Sequence, residues 1–226
     1  MTQVFRLYRS TIGKKVAMAL SGILLFGFVL AHMIGNLKIY QGPEKYDAYA
    51  EFLREVGYPV LGHGQGLWLA RIFLLAAVGV HIASAVALAR VSAGARRHGY
   101  KKRHDLSFSY ASRTMRWGGA IVLGFIVYHL LHLTLGTVHP QYRPGSVYAN
   151  VVSGFRQLPV ALAYIACMIP LGLHLYHGLW SMTQTLALDN PRVLAVRRPA
   201  AAVFAVVVVL GNISIPLAVL TGLVGG

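Results

Sequence analysis

The stretch LGLHLYHGLWS, from Leu171 to Ser181, lies inside a long apolar run and places His174 and His177 one helical turn apart. A run of about 20 apolar residues is long enough to cross the hydrocarbon core of a bilayer as a helix. An ionisable side chain inside such a helix is costly, so it faces the interior of a bundle and marks a functional site. The stretch therefore predicts a membrane helix that carries buried imidazoles.

The rest of the chain has the composition of an integral membrane protein. Of its 226 residues, 56% are hydrophobic, and the mean hydropathy is +0.59. Five apolar segments are long enough to span a bilayer, and each must be helical because lipid offers the backbone no hydrogen bonds. We therefore predict a single all-α membrane domain over residues 1–226. Its five transmembrane helices are expected at about residues 16–37, 67–89, 117–138, 158–183 and 200–223.

The charged residues lie between the apolar segments. The chain has 21 Lys and Arg against six Asp and Glu, which gives a formal net charge of +15. These cations form no basic stripe on a polar helix, so we expect no nucleic-acid partner. Fifteen of them fall on one side of the predicted topology and six on the other. Because cytoplasmic loops are enriched in Lys and Arg, we expect a multi-pass protein of the inner (cytoplasmic) cell membrane, with its N-terminus in the cytoplasm and its C-terminus outside.

A short amphipathic helix is expected in the first outer loop, after Pro43. Proline is favoured in the first turn of a helix, and the acidic residues that follow are spaced three and four apart. We interpret this segment as a solvated cap at the outer surface. Its acidic residues are Glu44, Asp47, Glu51 and Glu55.

Histidines within the spans fall at two depths. Counted at about 1.5 Å per residue from the charged span ends, His32 and His129 lie in the outer half, and His81 and His174 lie nearer the inner half. Two pairs at two levels, drawn from alternate helices, are the arrangement that two bis-histidine haems require of a four-helix bundle. The other histidines of the spans, His132 and His177, are expected to hydrogen-bond a haem carboxylate, a quinone or a helix neighbour. Four further histidines lie in loops and predict no function: His63, His98, His104 and His139.

Other roles for the intramembrane histidines stay open at this point. A single buried histidine commonly hydrogen-bonds a neighbouring helix, and histidines also line the ion paths of haem-free transporters. Zinc is disfavoured because a bilayer-buried Zn²⁺ with neutral ligands would carry two uncompensated charges. The lone Cys167 excludes an internal disulfide, a cysteine-ligated iron–sulfur cluster and covalent haem attachment.

Five features of the sequence can be set beside known families: STIGKK at 10–15, HMIGN at 32–36, His81 itself, Tyr128–His129, and HLYHGLW at 174–180. Together they resemble the cytochrome b membrane-anchor subunit of succinate dehydrogenase and fumarate reductase, in its single-chain, five-helix, diheme form. By this resemblance His81 and His174 are the ligands of the inner haem iron, and His32 and His129 are those of the outer haem iron.

The resemblance implies a membrane-anchor and electron-transfer subunit of a succinate:quinone oxidoreductase, or complex II. Its expected cofactors are two haem b and menaquinone or another quinone. Its expected partners are a flavoprotein subunit and an iron–sulfur subunit on the cytoplasmic face, together with membrane lipid, and a higher oligomer of the complex is left open. The chain has no flavin motif and no cysteine cluster, so it is itself a non-catalytic subunit. The alternatives are the diheme anchor of another respiratory dehydrogenase and a haem-free membrane transporter.

Additional contact residues are expected around the two haem levels. Cations are needed to pair with haem propionates, and polar side chains near the inner haem are candidates for quinone or haem contacts. The expected propionate partners are Arg113 and Arg116 inside, and Lys38 and Arg71 outside. The expected quinone or haem contacts are Ser21, Ser84, His177 and Trp180.

One position departs from the family pattern. Some diheme members carry a buried glutamate two residues before the fourth-span ligand, and here that residue is Gly172. No predicted span contains Asp or Glu. The resemblance therefore does not extend to a carboxylate pathway for protons across the membrane.

Overall fold

A computed structural model describes residues 10–94, 110–188 and 190–226, without the side chains of residues 110–114. Within these ranges the chain forms α-helices and no strand, which confirms the all-α prediction. A short 3₁₀ helix, Leu37–Gln41, follows the first helix, and a π-helical turn, Leu130–Thr134, continues the fourth. The seven α-helices are α1 (Thr11–Asn36), α2 (Pro43–Glu55), α3 (Gln65–Gly94), α4 (Tyr110–His129), α5 (Val147–Phe155), α6 (Leu158–Thr185) and α7 (Pro191–Leu220).

Five of the described helices are long and apolar enough to cross a membrane, as predicted: α1, α3, α4 with its π-helical turn, α6 and α7. Most helix ends differ by several residues from the predicted spans, and two of these differences have a clear local cause. Helix α7 begins at Pro191 rather than at residue 200, because the Asn190 side chain accepts a hydrogen bond from the Arg192 N–H at 2.8 Å and proline suits the first helical position. The helical part of the third span ends at Thr134 rather than at 138, since Gly136 turns the chain with a φ of +73°.

Two short helices connect the spanning ones. Helix α2 confirms the helix predicted after Pro43, whereas α5 was not predicted because its nine residues carry no charge pattern that marks a surface helix. The Asp47 carboxylate of α2 accepts a hydrogen bond at 2.8 Å from the N–H of Tyr148, in the first turn of α5. An acidic group at this position satisfies a free N–H and interacts favourably with the helix dipole, so α2 caps α5.

Contacts fix the order of residues along the bundle. Arg197, near the start of α7, lies over the Trp180 ring near the end of α6, and Tyr164, near the start of α6, meets His132 at the end of the third span. His81, in the second half of α3, contacts Met18 in the first half of α1. The spanning helices therefore alternate in direction. We call the end at which α1, α4 and α7 begin the N-terminal end, and the other end, which holds α2 and α5, the C-terminal end.

The helices pack as two groups. Helix α3 packs along α1, while α4 and α7 both pack along α6, and contacts between the α1–α3 pair and the α4–α6 pair are sparse. Large apolar side chains point outward, as Trp117 (77% exposed) and Val203 (64%) do, whereas the interior contains small residues such as Ala161 and Ala201. This inverted distribution is expected of a bundle surrounded by lipid, in which small residues let helices approach each other.

Candidate functional site

Histidines from α3 and α6 form one pair. The ring centroids of His81 and His174 lie 6.1 Å apart, with 60° between the ring planes. The Nδ1 atom of His81 lies 3.2 Å from the carbonyl oxygen of Met18 and 3.2 Å from the hydroxyl oxygen of Ser21. An Nδ1–H donated to α1 leaves Nε2 with the lone pair that a metal requires. Residues of α1 therefore orient the His81 ring so that its Nε2 could bind a metal.

Two glycines bring helix backbones against these rings. A Cβ atom built on Gly22 of α1 would lie 3.5 Å from Cε1 of His81, and one built on Gly119 of α4 would lie 3.5 Å from Cε1 of His174. These are van der Waals separations, so a side chain extending beyond Cβ would enter the space that the ring occupies. Each imidazole is thus held between its own helix and a glycine of a neighbouring helix.

Histidines from α1 and α4 form a second pair. The ring centroids of His32 and His129 lie 5.8 Å apart, with the planes at 90°. The Phe28 ring stacks on His32 at 5.3 Å, and the rings of Phe125 and Tyr164 each lie 6.0 Å from His129. Within the described residues, the buried Nδ1 atom of His129 has no hydrogen-bond partner. The second pair is therefore surrounded by aromatic rings and has a nitrogen without a protein partner.

The two pairs lie at different levels of the bundle. Gly22, which contacts His81, and His32 are ten residues apart in α1, and Gly119, which contacts His174, is ten residues from His129 in α4. At about 1.5 Å per residue, each interval corresponds to about 15 Å along the helix. The structure thus brings together the same two pairs that the depth estimate predicted, with the His81–His174 pair nearer the N-terminal end.

The spacing within each pair fits one metal ion between two imidazoles. A metal–nitrogen bond of about 2 Å, with about 1 Å more from each nitrogen to its ring centre, gives centroids about 6 Å apart. The observed separations are 5.8 and 6.1 Å. No group of three or more His, Cys, Asp or Glu among the described residues is arranged to hold a metal ion. Two histidines would be enough to hold a haem iron, so the residues present fit that group.

Buried ring nitrogens without a partner occur in both pairs. The Nδ1 atom of His174, like that of His129, is buried without a hydrogen-bond partner in the described parts of the chain. Leaving a buried polar atom unpaired costs about 1–3 kcal/mol. The Nδ1 and Nε2 atoms of an imidazole differ in role, and a bound group on one of them fixes which one keeps the proton. Each pair thus has at least one imidazole with a nitrogen that the described protein does not use.

Polar atoms without partners also occur at the N-terminal end. The side chain of Ser84 is fully buried and that of Trp180 is 8% exposed. The His177 and Trp180 ring centroids lie 5.0 Å apart. Ser84 Oγ, His177 Nδ1 and Trp180 Nε1 are all buried without a partner among the described residues. Ser21, the fourth residue predicted to contact quinone or haem, lies beside His81.

The cations at the N-terminal end differ from those expected. The side chain of Arg113 lies outside the described residues, and Arg116 is exposed. Two other cations lie against a ring of α6: the guanidinium groups of Arg197 and Arg198 are 5.9 and 5.1 Å from the ring centre of Trp180. Sequence reasoning used these two arginines only for topology, because their contact with α6 depends on how α7 packs.

The two cations predicted at the C-terminal end lie against aromatic rings. The ammonium group of Lys38 is 5.2 Å from the ring centre of Tyr49, and the guanidinium group of Arg71 is 5.0 Å from that of Trp68. Cation–π contacts of this kind hold a charged side chain in place while leaving its hydrogen-bond donors free. The predicted contacts of Lys38 and Arg71 with haem carboxylates stay a prediction.

A buried histidine cluster at the C-terminal end was not predicted. The Nδ1 atom of His132 lies 3.0 Å from the hydroxyl oxygen of Tyr164, and its ring stacks on His139 at 4.7 Å. His139 donates from Nε2 to the carbonyl oxygen of Asn150 at 2.9 Å and accepts at Nδ1 from the N–H of Gln141 at 3.1 Å. His139 lies in a loop, as expected, but its side chain is buried there, which was not predicted. It is 4% exposed and joins the loop to α5, which no local spacing could have indicated.

Comparison with known protein families gives a match over about half of the chain. Residues 95–213 match the family described as Succinate dehydrogenase/Fumarate reductase transmembrane subunit. The matched region covers α4 to most of α7 and contains His129 and His174, while His32 and His81 precede it. No curated protein and no solved structure matches the chain.

Proposed function

The chain belongs to the succinate dehydrogenase/fumarate reductase transmembrane subunit family, and from this membership we propose that it carries electrons between the iron–sulfur subunit and a membrane quinone through two haem b groups. Membership makes the chain a membrane-anchor subunit whose partners are the flavoprotein and iron–sulfur subunits of that enzyme. The five helices long enough to span a bilayer agree with a multi-pass membrane protein.

The observation that carries the proposal is the pairing of four histidines at two levels. His81 and His174 would hold one haem iron, and His32 and His129 would hold the other. A haem held by two imidazoles supplies one-electron oxidation and reduction of its iron. The protein positions the ligands, and the Met18 carbonyl fixes the proton of His81 on Nδ1, which leaves Nε2 for the metal.

We assign the quinone, with menaquinone as the first candidate, to the N-terminal end near the His81–His174 pair. A quinone head group offers two carbonyl oxygens that accept hydrogen bonds. Ser84 and His177 have buried polar atoms without partners among the described residues, and both lie one turn from a proposed ligand. Their hydroxyl and imidazole groups suit such an acceptor. Ser21 is better explained as a neighbour that orients His81.

The proposed orientation places the N-terminal end in the cytoplasm, with the chain in the inner cell membrane. Lys14, Lys15 and Arg116 lie at this end, near the starts of α1 and α4. A cytoplasmic excess of Lys and Arg is the usual determinant of topology, and the same charges favour docking of the soluble subunits and of anionic lipid. Protease or cysteine-labelling access to residues 95–109 from the outer face of intact cells would contradict this orientation.

A haem measurement on the purified full-length chain tests the proposal. We expect a b-type band in the dithionite-reduced minus oxidised spectrum and two haems per chain by pyridine haemochrome assay. Absence of any b-type band would favour the haem-free transporter. Co-purification with a flavoprotein and an iron–sulfur protein, followed by reduction of the haems on adding succinate, separates this assignment from the anchor of another respiratory dehydrogenase.

A further inference from the structure

Two guanidinium groups and an indole meet at the N-terminal end of the bundle. Arg197 and Arg198 lie over the Trp180 ring at 5.9 and 5.1 Å, and Trp180 itself is 8% exposed. We propose that Trp180, Arg197 and Arg198 form a binding site for an oxyanion, a carboxylate or phosphate group that the chain itself does not supply. No role was expected of the two arginines beyond topology.

The hydrogen-bonding capacity of the cluster defines the ligand. The Nε1 atom of Trp180 and the Nε atom of Arg197 are both buried, and neither has a partner among the described residues. Indole and guanidinium nitrogens can only donate hydrogen bonds. A ligand that satisfies both must therefore be an acceptor, and the two positive charges beside them select an anion.

Carboxylates of the described chain lie at the opposite end. All four that the structure describes belong to α2, at the C-terminal end, and the remaining two, Asp105 and Asp189, lie outside the described residues. The cluster therefore has no described acidic side chain that neutralises Arg197 and Arg198. Guanidinium groups are well suited to carboxylate and phosphate because their donors form a planar fork.

The position of the cluster identifies two sources of such an anion. Trp180 is six residues beyond His174 in α6, about 9 Å along the helix at about 1.5 Å per residue. A carboxylate of a haem held by His81 and His174 would lie at this level, and this source rests on the proposed function. The same level is near the membrane surface, where the phosphate of an anionic lipid attracts basic residues. Both sources present the same oxyanion chemistry.

Three variants of the full-length chain in its complex test the site. Arg197→Gln removes one charge and keeps much of the side-chain length, and Trp180→Phe removes the indole N–H while keeping an aromatic ring. Arg192→Gln is the matched control, because Arg192 is an exposed residue in the first turn of the same helix and its backbone N–H, rather than its side chain, bonds Asn190. Each variant is reconstituted in nanodiscs of phosphatidylcholine with or without phosphatidylglycerol. Haem midpoint potentials and retained lipid are then measured.

The outcomes separate the two sources. If a haem carboxylate binds, Arg197→Gln lowers the reduction equilibrium constant of one haem by about tenfold, or about 59 mV for one electron, because loss of a nearby positive charge favours the oxidised iron. The other haem and the Arg192→Gln control are unchanged, and Trp180→Phe shifts the same haem in the same direction. If a lipid phosphate binds, the potentials stay at their wild-type values, while both variants lose phosphatidylglycerol that native mass spectrometry finds on the wild type and on the control.

Other results overturn the site. If Arg197→Gln and Trp180→Phe match Arg192→Gln in both potentials and retained lipid, no oxyanion binds there. A wild-type protein without haem contradicts the proposed function, but the lipid measurement still decides whether the site exists. Trp180→Phe preserves the packing of α6 and so provides the test if Arg197→Gln fails to fold.

Discussion

The imidazole rings of His81 and His174 lie 6.1 Å apart, although the two residues come from helices that make few other contacts with each other. The same relationship recurs at 5.8 Å between His32 and His129. Each pair takes one histidine from the α1–α3 group and one from the α4–α6 group. The two pairs share no residue, so their occupancies are expected to be separable.

Replacing one histidine should remove one haem and leave the other. In the His81→Leu variant we expect one haem per chain by pyridine haemochrome assay instead of two, because His174 alone cannot supply both axial nitrogens. The control is His63→Leu, which changes a histidine whose side chain is 62% exposed and should keep both haems. Loss of both haems from a chain that still elutes as a folded particle would contradict the separation of the two pairs.

A larger side chain at Gly119 should weaken binding of the haem proposed between His81 and His174 without removing either histidine. A Cβ there would already lie 3.5 Å from Cε1 of His174, so the side chain of Gly119→Leu must displace the ring. We expect weakened binding or loss of the haem at the His81–His174 pair, measured as haem content and by the reduced spectrum. Gly124→Leu is the matched control, because a Cβ at that position meets nothing within 4 Å and Gly124 lies on the exposed stripe that includes Trp117. Equal effects of the two leucines would refute the contact.

The cap that α2 provides for α5 should contribute to stability. Asp47 accepts a hydrogen bond from the Tyr148 N–H at 2.8 Å, so Asp47→Ala leaves that N–H without its partner. By analogy with lost helix caps, we expect the free energy of unfolding to fall by about 1–2 kcal/mol. A lowered melting temperature in detergent would show this loss. Glu55→Ala removes an equal charge from the exposed end of the same helix and should change the melting temperature much less.

Alkaline pH should weaken the contact between α2 and the end of α1. Burial raises the pKa of Tyr46 from 10.0 to about 12, with smaller contributions from Asp47 and Tyr49, and its hydroxyl donates to Asn36 at 3.1 Å. The folded chain therefore keeps this proton at a pH where the unfolded chain has lost it. The stabilisation is complete below the unfolded pKa and is lost as pH rises through the folded pKa.

A comparison with Tyr46→Phe measures this effect. The stability advantage of the wild type over Tyr46→Phe, followed by thermal unfolding, should be constant up to about pH 9 and shrink between about pH 10 and 12. Tyr58→Phe is the control, because the Tyr58 side chain is 74% exposed and its loss should leave the pH profile unchanged. A wild-type advantage that does not vary with pH would contradict the raised pKa of Tyr46.

The histidine pairs could be predicted from the sequence because two physical quantities are fixed in a membrane helix. The rise per residue converts position into depth, and the cost of a buried ionisable group restricts where histidine occurs. These constraints sorted His32, His81, His129 and His174 into the pairs that the structure brings together. They do not determine how each helix is rotated about its own axis. The contacts of Gly22 with His81 and of Gly119 with His174 depend on that rotation and could not be predicted.

Features that depend on packing between distant segments could not be predicted. His139 is buried because α5 places the Asn150 carbonyl beside it, and α5 is too short and too apolar to be recognised from periodicity. Arg197 reaches Trp180 because α7 begins well before its apolar core, and Asn190 rather than hydrophobicity determines that start. The early start of α7 at the Asn190 cap is thus what brings Arg197 to the end of α6.

Acidic side chains among the described residues are confined to one end of the bundle, where six Lys and Arg accompany them, and this leaves the other end strongly basic. The described carboxylates are confined to α2, whereas Arg116, Arg192 and the cluster at Trp180 lie at the other end. Copies inserted in the same direction would place like charges side by side, and a Debye length of about 8 Å at physiological salt does not screen charges in close contact. Repulsion between these basic ends therefore opposes close packing of copies of the chain that lack their partner subunits. It favours binding of an acidic partner surface over self-association.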